Sequence, residues 1–191
     1  DQWSEARAMT ASYGYGVSTT LLHFARSMAA IVNGGILVNP TLIKGNPEKI
    51  EQQVLSKKTS HQVNKLLYLA AQKGTSRKIR VDGYMVGGKT GSANKLVNGK
   101  YDKKNHLGTV SAIFPMKQPR YILVVTLDSP QGTKETFGFA TGGWTAAPIA
   151  REIIKKAGPL LKVMPVDESS EVIKKAMYVK VEYDGQKRAF G

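Results

Sequence analysis

The sequence predicts an α+β domain in which three antiparallel strands pack against helices. Two segments near the amino terminus carry apolar residues at the three- and four-residue spacing of an amphipathic helix. Three later segments are predicted strands; the last two are rich in β-branched and aromatic residues and are separated by only a short connection. Another helical segment follows the strands, so helices and strands are segregated along the chain as they are in α+β folds.

The first predicted helix follows an irregular lead-in over residues 1–17. Ser18 or Thr19 can cap its amino terminus, and Gly34-Gly35 ends it with the left-handed residue that a helix carboxyl terminus favours. The apolar stripe is so wide that we expect this helix to be buried on most sides. That stripe comprises Leu21, Leu22, Phe24, Ala25, Met28, Ala29, Ile31 and Val32.

Two further helices are predicted from periodicity and from residues that end helices. One spans residues 60–72, and Gly74 stops it. The other spans residues 145–157, with Pro148 in its first turn and Gly158-Pro159 at its end. The apolar face of the helix over residues 60–72 is formed by Val63, Leu66, Leu67, Ala70 and Ala71.

The three predicted strands occupy residues 84–93, 107–114 and 121–127. The polar, basic connection over residues 94–106 is expected to be a long loop that contains a turn at Asn98-Gly99. Residues 115–120 are short enough to join the last two strands as a hairpin, and a short extended piece is expected at residues 36–39.

We assign residues 1–165 to one domain and residues 166–191 to a carboxyl-terminal tail. Within the tail, residues 177–183 alternate well enough for an edge strand, and Asp184-Gly185 marks a turn. The sequence shows no internal repeat and no low-complexity block.

The composition argues against several classes of function. The chain has 191 residues, no cysteine and a formal net charge of +14. The positive charge comes from 21 lysines and only 7 arginines. Because arginine is the residue that makes two-point contacts with phosphate and guanine, this ratio disfavours nucleic-acid binding. No apolar run approaches the roughly 18–20 residues of a membrane-spanning helix. No histidine has a second ligand residue at the sequence spacing typical of a metal site, and the acidic residues form no cluster of the kind such sites need. We therefore expect no metal, and we expect no other cofactor.

One predicted strand carries residues suited to binding a carboxylate. Lys89, Thr90 and Ser92 offer an ammonium group and two hydroxyls within four positions, and the neighbouring glycines let a ligand backbone approach closely. Strand alternation places Thr90 and Ser92 on the face opposite Lys89. These residues suit an extended peptide that ends in a carboxylate. A Lys-Thr-Gly triplet also arises by chance, and lysine keeps edge strands soluble, so the triplet alone leaves both interpretations open.

Three stretches resemble the class B penicillin-binding proteins, in particular the cell-division (FtsI) type. Residues 12–17, Ser-Tyr-Gly-Tyr-Gly-Val, and the following helix are similar to the family's segment after its second motif. Residues 88–93, Gly-Lys-Thr-Gly-Ser-Ala, resemble its Gly-Lys-Thr-Gly-Thr-Ala. Residues 118–125 and the Ala-Ala-Pro at residues 146–148 resemble its last strand and closing helix. The resemblance covers about residues 1–165 and implies the β-lactamase/transpeptidase-like fold.

The resemblance implies a serine-type D,D-transpeptidase that cross-links peptidoglycan stem peptides ending in D-Ala-D-Ala and that binds β-lactam antibiotics. Lys89 would then supply positive potential for the substrate carboxylate and for proton transfer, and the hydroxyls of Thr90 and Ser92 would bind that carboxylate. Gly91 belongs to the same substrate-binding triplet, and the backbone N–H of Ser92 would be one of two oxyanion-hole donors. Serine in place of threonine at position 92 keeps both the hydroxyl and the backbone donor.

The nucleophile that this family requires is not evident in the chain. The family's Ser-x-x-Lys motif opens a helix, where the lysine activates the serine. The one match, Ser92-Ala93-Asn94-Lys95, overlaps the predicted substrate strand. We therefore expect the true motif to precede Asp1 and the isolated chain to be inactive.

The resemblance also implies a setting for the intact protein. It implies septal cell-wall synthesis with divisome membrane proteins as partners, on the periplasmic face of the bacterial inner membrane, with an N-terminal anchor outside this chain. Three alternatives stay open: a non-catalytic relative that binds peptidoglycan or a divisome partner, a D,D-carboxypeptidase or β-lactamase, and, more remotely, a nucleic-acid-binding module. The Tyr-Gly-Tyr-Gly stretch argues against the second of these.

Overall fold

The computed structural model of the protein describes residues 4–44 and 52–179. Its architecture is the α+β arrangement that the sequence predicts. The elements, in chain order, are α1 (Glu5–Ser12), α2 (Leu21–Val32), β1 (Ile36–Leu37), β2 (Gln52–Gln53), α3 (Lys57–Lys73), a 3₁₀ turn (Arg77–Ile79), β3 (Gly87–Val97), β4 (Lys100–Phe114), β5 (Tyr121–Asp128), α4 (Ala146–Leu160) and α5 (Glu171–Met177).

The main sheet has three antiparallel strands in the order β3-β4-β5, so β4 is central and β3 lies at one edge. Lys89 of β3 pairs with Ser111 of β4, and Ser111 pairs with Val124 of β5. The short strands β1 and β2 form a separate two-stranded ribbon, which confirms the extended piece expected near residues 36–39.

The sheet is covered by helices on both faces, and alternate residues of its strands face opposite sides. Val110 and Ala112 of β4 pack towards α4, whereas Ile113 packs towards α2 and α3. All three are fully buried. Because burying one aliphatic side chain contributes about 1.5–3 kcal/mol, these two layers hold the strands, including β3, in a fixed register.

The connection between β3 and β4 differs from the prediction. Residues 94–106 were expected to form a long loop, but both strands continue through most of it and meet at a two-residue turn. Asn98 and Gly99 both have positive φ angles, 50° and 77°, as the tight type I′ hairpin turn requires, so the predicted turn is confirmed. The described residues of the extension are exposed or half-buried, which suits its polar composition, and polar composition alone suggested a loop.

The amino-terminal segment also differs from the prediction. Residues 1–17 were expected to be irregular, but Glu5–Ser12 form α1, which is capped by the Ser4 side chain. This helix has no buried residue and therefore no apolar stripe from which the sequence could reveal it. The next helix, α2, is capped by Thr20 and not by Ser18 or Thr19.

The prediction that α2 is buried on most sides is wrong. Only Met28, Ala30 and Val32 are buried, while Leu21 and Leu22 are more than half exposed. Helix α3 confirms the second predicted helix and starts earlier, at Lys57, because Ser56 accepts a hydrogen bond at its amino terminus. Its Leu66 is likewise exposed, so the apolar stripes of both helices extend beyond what the described elements cover.

Helix α4 runs to Leu160 and does not stop at Gly158-Pro159 as predicted. Gly158 serves close packing instead of ending the helix, because a Cβ atom at this position would lie 2.7 Å from the ring of Tyr84. Pro159 lies in the last turn of α4, and the helix ends one residue later.

The segment after residue 165 is partly helical. Helix α5 places Ile173 in the core beneath α2 and α3, although no helix was predicted in the tail. The predicted edge strand over residues 177–183 begins on the last residue of α5, and residues 180–191, including the predicted turn at Asp184-Gly185, lie outside the described part. The division at residue 165 stays a prediction. None of the described helices is both long and apolar enough to cross a membrane.

Candidate functional site

Strand β3 presents its two predicted hydroxyl residues on the same side of the sheet. Just before β3, Val86 packs in the cluster beneath α4 and Met85 in the cluster beneath α2. Alternation along the strand therefore turns Thr90 and Ser92 towards the α4 side and Lys89 towards the α2 side. The separation of Lys89 from the two hydroxyls that the sequence predicted is confirmed.

Each of the two hydroxyls is held by a contact from outside the strand. The Thr90 and Thr75 hydroxyls share a hydrogen bond of 2.8 Å. The backbone N–H of Gly142 donates to Ser92 Oγ at 3.1 Å. Neither partner was predicted from the sequence, because they lie 15 and 50 residues away along the chain.

The segment that carries Thr75 holds β3 at a second point. The fully buried Ser76 donates from its hydroxyl to the carbonyl oxygen of Gly88 at 2.9 Å. Gly88 has no room for a side chain, since a Cβ atom there would lie 2.2 Å from the carbonyl oxygen of Ser111. The turn after α3 therefore fixes the backbone of β3 immediately before Lys89.

Thr90, Gly91 and Ser92 line a cavity of about 1010 Å³. A second wall is the carboxyl end of α3 and the turn after it, and a third comes from residues 139–144 before α4. Lys89 is not among the described residues that line the cavity. The other lining residues are Leu66, Leu69, Ala70, Lys73, Gly74, Thr75, Arg77, Lys78, Phe139, Thr141, Gly143, Trp144, Tyr178 and Val179.

The cavity is electrostatically positive. Lys73, Arg77 and Lys78 line it, and none of its described lining residues is acidic. The ammonium group of Lys78 lies 3.5 Å from the centre of the Trp144 ring, a cation–π contact that holds this charge at the wall. Four serine and threonine residues, three cations and several apolar side chains line the cavity, and this combination favours an anionic ligand that also carries apolar groups. A basic cluster over residues 73–78 was visible in the sequence but was not recognised.

Lys89 is exposed, and its ammonium group donates to the carbonyl oxygen of Thr90. The carbonyl oxygen of Lys89 accepts a hydrogen bond of 3.4 Å from the fully buried Ser111. The Lys89 backbone is therefore held by the sheet, while its side chain keeps access to the α2 side. Its predicted role in proton transfer, like the oxyanion role of the Ser92 N–H, stays a prediction.

The short Ser-x-x-Lys match on this strand does not have the geometry of a nucleophile and its activating base. Ser92 lies on a strand, and the ammonium group of Lys95 is bound to Asp128 at 2.7 and 3.0 Å. The hydrogen bond from Lys95, followed by one from Ser129, holds the pKa of Asp128 below its usual range. Lys95 is thus engaged with a carboxylate at the far end of β5 and not with Ser92.

Within residues 4–44 and 52–179, no group of three or more histidines and carboxylates comes together as a metal site would need. His106, which is half-buried on β4, lies with Nε2 2.8 Å from the carbonyl oxygen of Ala140. This contact ties β4 to the segment before α4 that lines the cavity.

Comparison with known proteins gives consistent matches. Residues 1–155 match the family described as the penicillin binding protein transpeptidase domain. The probable peptidoglycan D,D-transpeptidase FtsI of Caulobacter vibrioides is 33% identical over 174 residues, which are 85% of this chain and 29% of that protein. Stage V sporulation protein D of Bacillus subtilis is 34% identical over 168 residues, 82% of this chain and 25% of that protein.

The fold matches solved structures as well. The crystal structure of penicillin-binding protein 3 from Mycobacterium tuberculosis, complexed with ampicillin, has a TM-score of 0.76 and 26% identity, and the match covers 89% of this chain and 41% of that one. The chain thus spans about a quarter to two fifths of the length of these proteins. Because the family match extends over residues 1–155 and the architecture agrees, the chain belongs to the penicillin-binding protein transpeptidase domain family and has the β-lactamase/transpeptidase-like fold.

Proposed function

We propose that this chain forms the carboxyl-terminal part of a serine-type peptidoglycan D,D-transpeptidase domain. Strand β3 binds the terminal carboxylate of a stem peptide, or the carboxylate of a β-lactam. The observation that carries this proposal is that the Thr90 and Ser92 hydroxyls line one wall of a cationic cavity at the family's Lys-Thr-Gly strand. A relative named as a probable D,D-transpeptidase and a structural neighbour complexed with ampicillin support it.

In this proposal the hydroxyls of Thr90 and Ser92 donate to the carboxylate of the terminal D-Ala. The nearby ammonium and guanidinium groups of Lys73, Arg77 and Lys78 raise the positive potential of the cavity and so attract the anion. A hydrogen bond to a charged group contributes about 1.5–3 kcal/mol, so each hydroxyl accounts for roughly a tenfold to hundredfold gain in reaction with the substrate.

The chemical step divides between this chain and a segment N-terminal to Asp1. The serine of the upstream Ser-x-x-Lys attacks the carbonyl carbon of the penultimate D-Ala, and the terminal D-Ala leaves with a proton. The backbone N–H of Ser92 stabilises the oxyanion together with the N–H of the nucleophile. Lys89, which lies on the opposite face of the strand, provides positive potential during proton transfer. An amine of a second stem peptide then attacks the acyl-enzyme and completes the cross-link.

The cellular role of the intact protein is part of the same proposal. Septal wall synthesis with divisome membrane partners is supported by the similarity to a protein named FtsI. The similarity to a stage V sporulation protein is equally high, so wall synthesis during sporulation is a second candidate. Either role places the domain where peptidoglycan is made, on the outer side of the cytoplasmic membrane, with the anchor in a segment outside this chain.

The proposal is tested by acylation of the intact protein with a fluorescent penicillin. We expect a covalent adduct on a serine upstream of Asp1, and we expect Thr90→Val and Ser92→Ala each to lower the second-order acylation rate constant about tenfold or more. Thr59→Val is the matched control, because Thr59 lies in the first turn of α3 and does not line the cavity, and Leu66, the first residue of α3 that does, is about 10 Å further along the helix.

Three outcomes would contradict the proposal. An adduct on any serine of residues 1–191 would show that the nucleophile is in this chain. An intact protein that binds peptidoglycan but forms no adduct would favour the non-catalytic relative. If Thr90→Val and Ser92→Ala both leave the acylation rate constant unchanged, the hydroxyls of β3 do not bind the carboxylate.

A further inference from the structure

A segment beyond the family match holds the backbone that leads into the substrate strand. The family match ends at residue 155, and Glu168 lies after it, between α4 and α5. Its Oε1 accepts hydrogen bonds from the backbone N–H groups of Gly83 at 2.9 Å and Met85 at 3.1 Å. Its Oε2 accepts a hydrogen bond of 2.7 Å from the hydroxyl of Tyr68 on α3. One carboxylate therefore joins three parts of the fold.

The surroundings keep this carboxylate in place. Val166 donates from its backbone N–H to the carbonyl oxygen of Gly83 at 2.9 Å, which brings the chain alongside the same turn. Pro165 lies so close that a Cβ atom on Gly83 would meet its ring at 3.0 Å. Five residues after Glu168, in the first turn of α5, Ile173 is buried against the core. Contacts on both sides of Glu168 thus anchor it, and the carboxylate itself is only partly exposed.

The turn that Glu168 binds is strained and lies directly before β3. Met85 has a φ of +46° although it carries a bulky side chain, and it is almost completely buried. Such a conformation persists only where the surroundings enforce it. Both backbone polar groups of Met85 are bound: its N–H donates to Glu168, and its carbonyl oxygen accepts a hydrogen bond of 2.9 Å from the N–H of Met116. β3 starts two residues later, and Lys89 follows four residues after Met85.

We propose that Glu168 is a positioning residue that sets the placement of the Lys89–Ser92 strand by clamping the turn at Gly83 and Met85. This inference rests on the proposed function, because it assigns Glu168 to the substrate strand of the same site. Glu168 does not line the cavity, and its described hydrogen bonds go to Tyr68, Gly83 and Met85 and not to the predicted substrate groups, so we expect it to act through the backbone that leads into β3. Carboxylates suit this task, since hydrogen bonds from backbone N–H groups to a charged acceptor are short and strong.

The test compares Glu168→Ala, Glu168→Gln and Glu171→Ala in the intact protein. The glutamine variant keeps one oxygen for the two N–H groups, and its amide can donate to the Tyr68 hydroxyl, so it preserves the clamp without the charge. Glu171 is the control, because it is exposed and pairs only with its helix neighbour Lys174, as far as the described contacts show.

Two quantities are measured at a temperature at which every variant is folded: the acylation rate constant with a fluorescent penicillin, and amide hydrogen exchange over residues 83–92. In the alanine variant we expect acylation to fall about tenfold, because small displacements of positioning groups are costly, and amide exchange in this segment to accelerate. The glutamine variant should recover acylation to within about threefold of wild type, and Glu171→Ala should change neither quantity.

A purely structural role makes a different prediction. It lowers the melting temperature of Glu168→Ala but leaves acylation and exchange of the folded protein unchanged, and that result would overturn the inference. If the alanine variant does not accumulate as folded protein, Tyr68→Phe decides, because it removes the hydrogen bond to Glu168 Oε2. Faster exchange over residues 83–92 together with slower acylation supports the clamp, and wild-type values of both quantities overturn it. If wild type forms no adduct, the proposed function fails, and the exchange comparison alone then supports or rejects the clamp.

Discussion

Gly142 offers a direct test of how the cavity wall is built. A Cβ atom at this position would lie 2.4 Å and 2.8 Å from the carbonyl oxygen and the N–H nitrogen of Thr109, and 2.7 Å from the carbonyl oxygen of Gly91. Ordinary contacts begin near 3.4 Å, so the closest of these falls about 1 Å short. All three atoms belong to the backbone of the sheet and cannot rotate away.

Gly142→Ala must therefore push the segment before α4 off strands β3 and β4. Overpacking of this kind costs about 1–3 kcal/mol, and we expect a loss of that size in the free energy of unfolding of the intact protein. The same movement withdraws the Gly142 N–H from Ser92 Oγ, now 3.1 Å away, so acylation by a fluorescent penicillin should also slow.

The matched control is Gly91→Ala, since a Cβ atom on Gly91 would meet nothing within 4 Å and its φ is not positive. The two proteins are compared by urea unfolding. A Gly142→Ala protein as stable as wild type, or a Gly91→Ala protein destabilised to the same degree, would refute the steric reasoning.

Two further predictions concern groups that hold β3 and the clamp. Ser76→Ala should lower the free energy of unfolding by about 1–3 kcal/mol, because the Gly88 carbonyl loses a buried donor, whereas the exposed Ser12→Ala should change it little. Burial, followed by the hydrogen bond to Glu168, raises the pKa of Tyr68. The protonated Tyr68 hydroxyl therefore stabilises the folded state fully below about pH 10, the pKa of an unfolded tyrosine, and this stabilisation is lost as the pH rises further. Tyr68→Phe has no such group, so its free energy of unfolding should fall less between pH 8 and 11 than that of wild type.

Both predictions can fail in a defined way. Urea unfolding that gives Ser76→Ala and Ser12→Ala the same stability would mean that the Gly88 carbonyl finds another donor at no cost. Parallel stability curves for Tyr68→Phe and wild type between pH 8 and 11 would mean that Tyr68 ionises normally in the folded protein.

Much of the site was predictable because its signals are local. Alternation along a strand depends only on backbone geometry, so the separation of Lys89 from Thr90 and Ser92 followed from their positions. The Asn98-Gly99 turn was recognised for the same reason, since both residues tolerate positive φ. The length of the hairpin around it was missed, because polar residues on an exposed hairpin resemble those of a loop.

The elements that were missed are those whose stability comes from elsewhere. Helix α1 has no buried residue, and Ile173 is the one buried residue of the described helix α5, which follows the segment that Glu168 ties to Gly83. Conversely, Leu21 and Leu66 lie on apolar stripes that predicted burial, yet both are exposed. A periodic pattern shows that a face is apolar, but it does not show which element covers that face.

The sequence by itself determined the α+β class, the order of the main elements and the Lys89-Thr90-Gly91-Ser92 strand with its family resemblance. These follow from periodicity, turn residues and motifs, which act over a few neighbouring residues. Only the tertiary structure showed that Thr75 and Gly142 bind the two hydroxyls, that three cations line the cavity and that Glu168 accepts hydrogen bonds from Gly83 and Met85. The hydrogen bonds among these join residues 15 to 85 positions apart, and chain packing, not local sequence, brings such partners together.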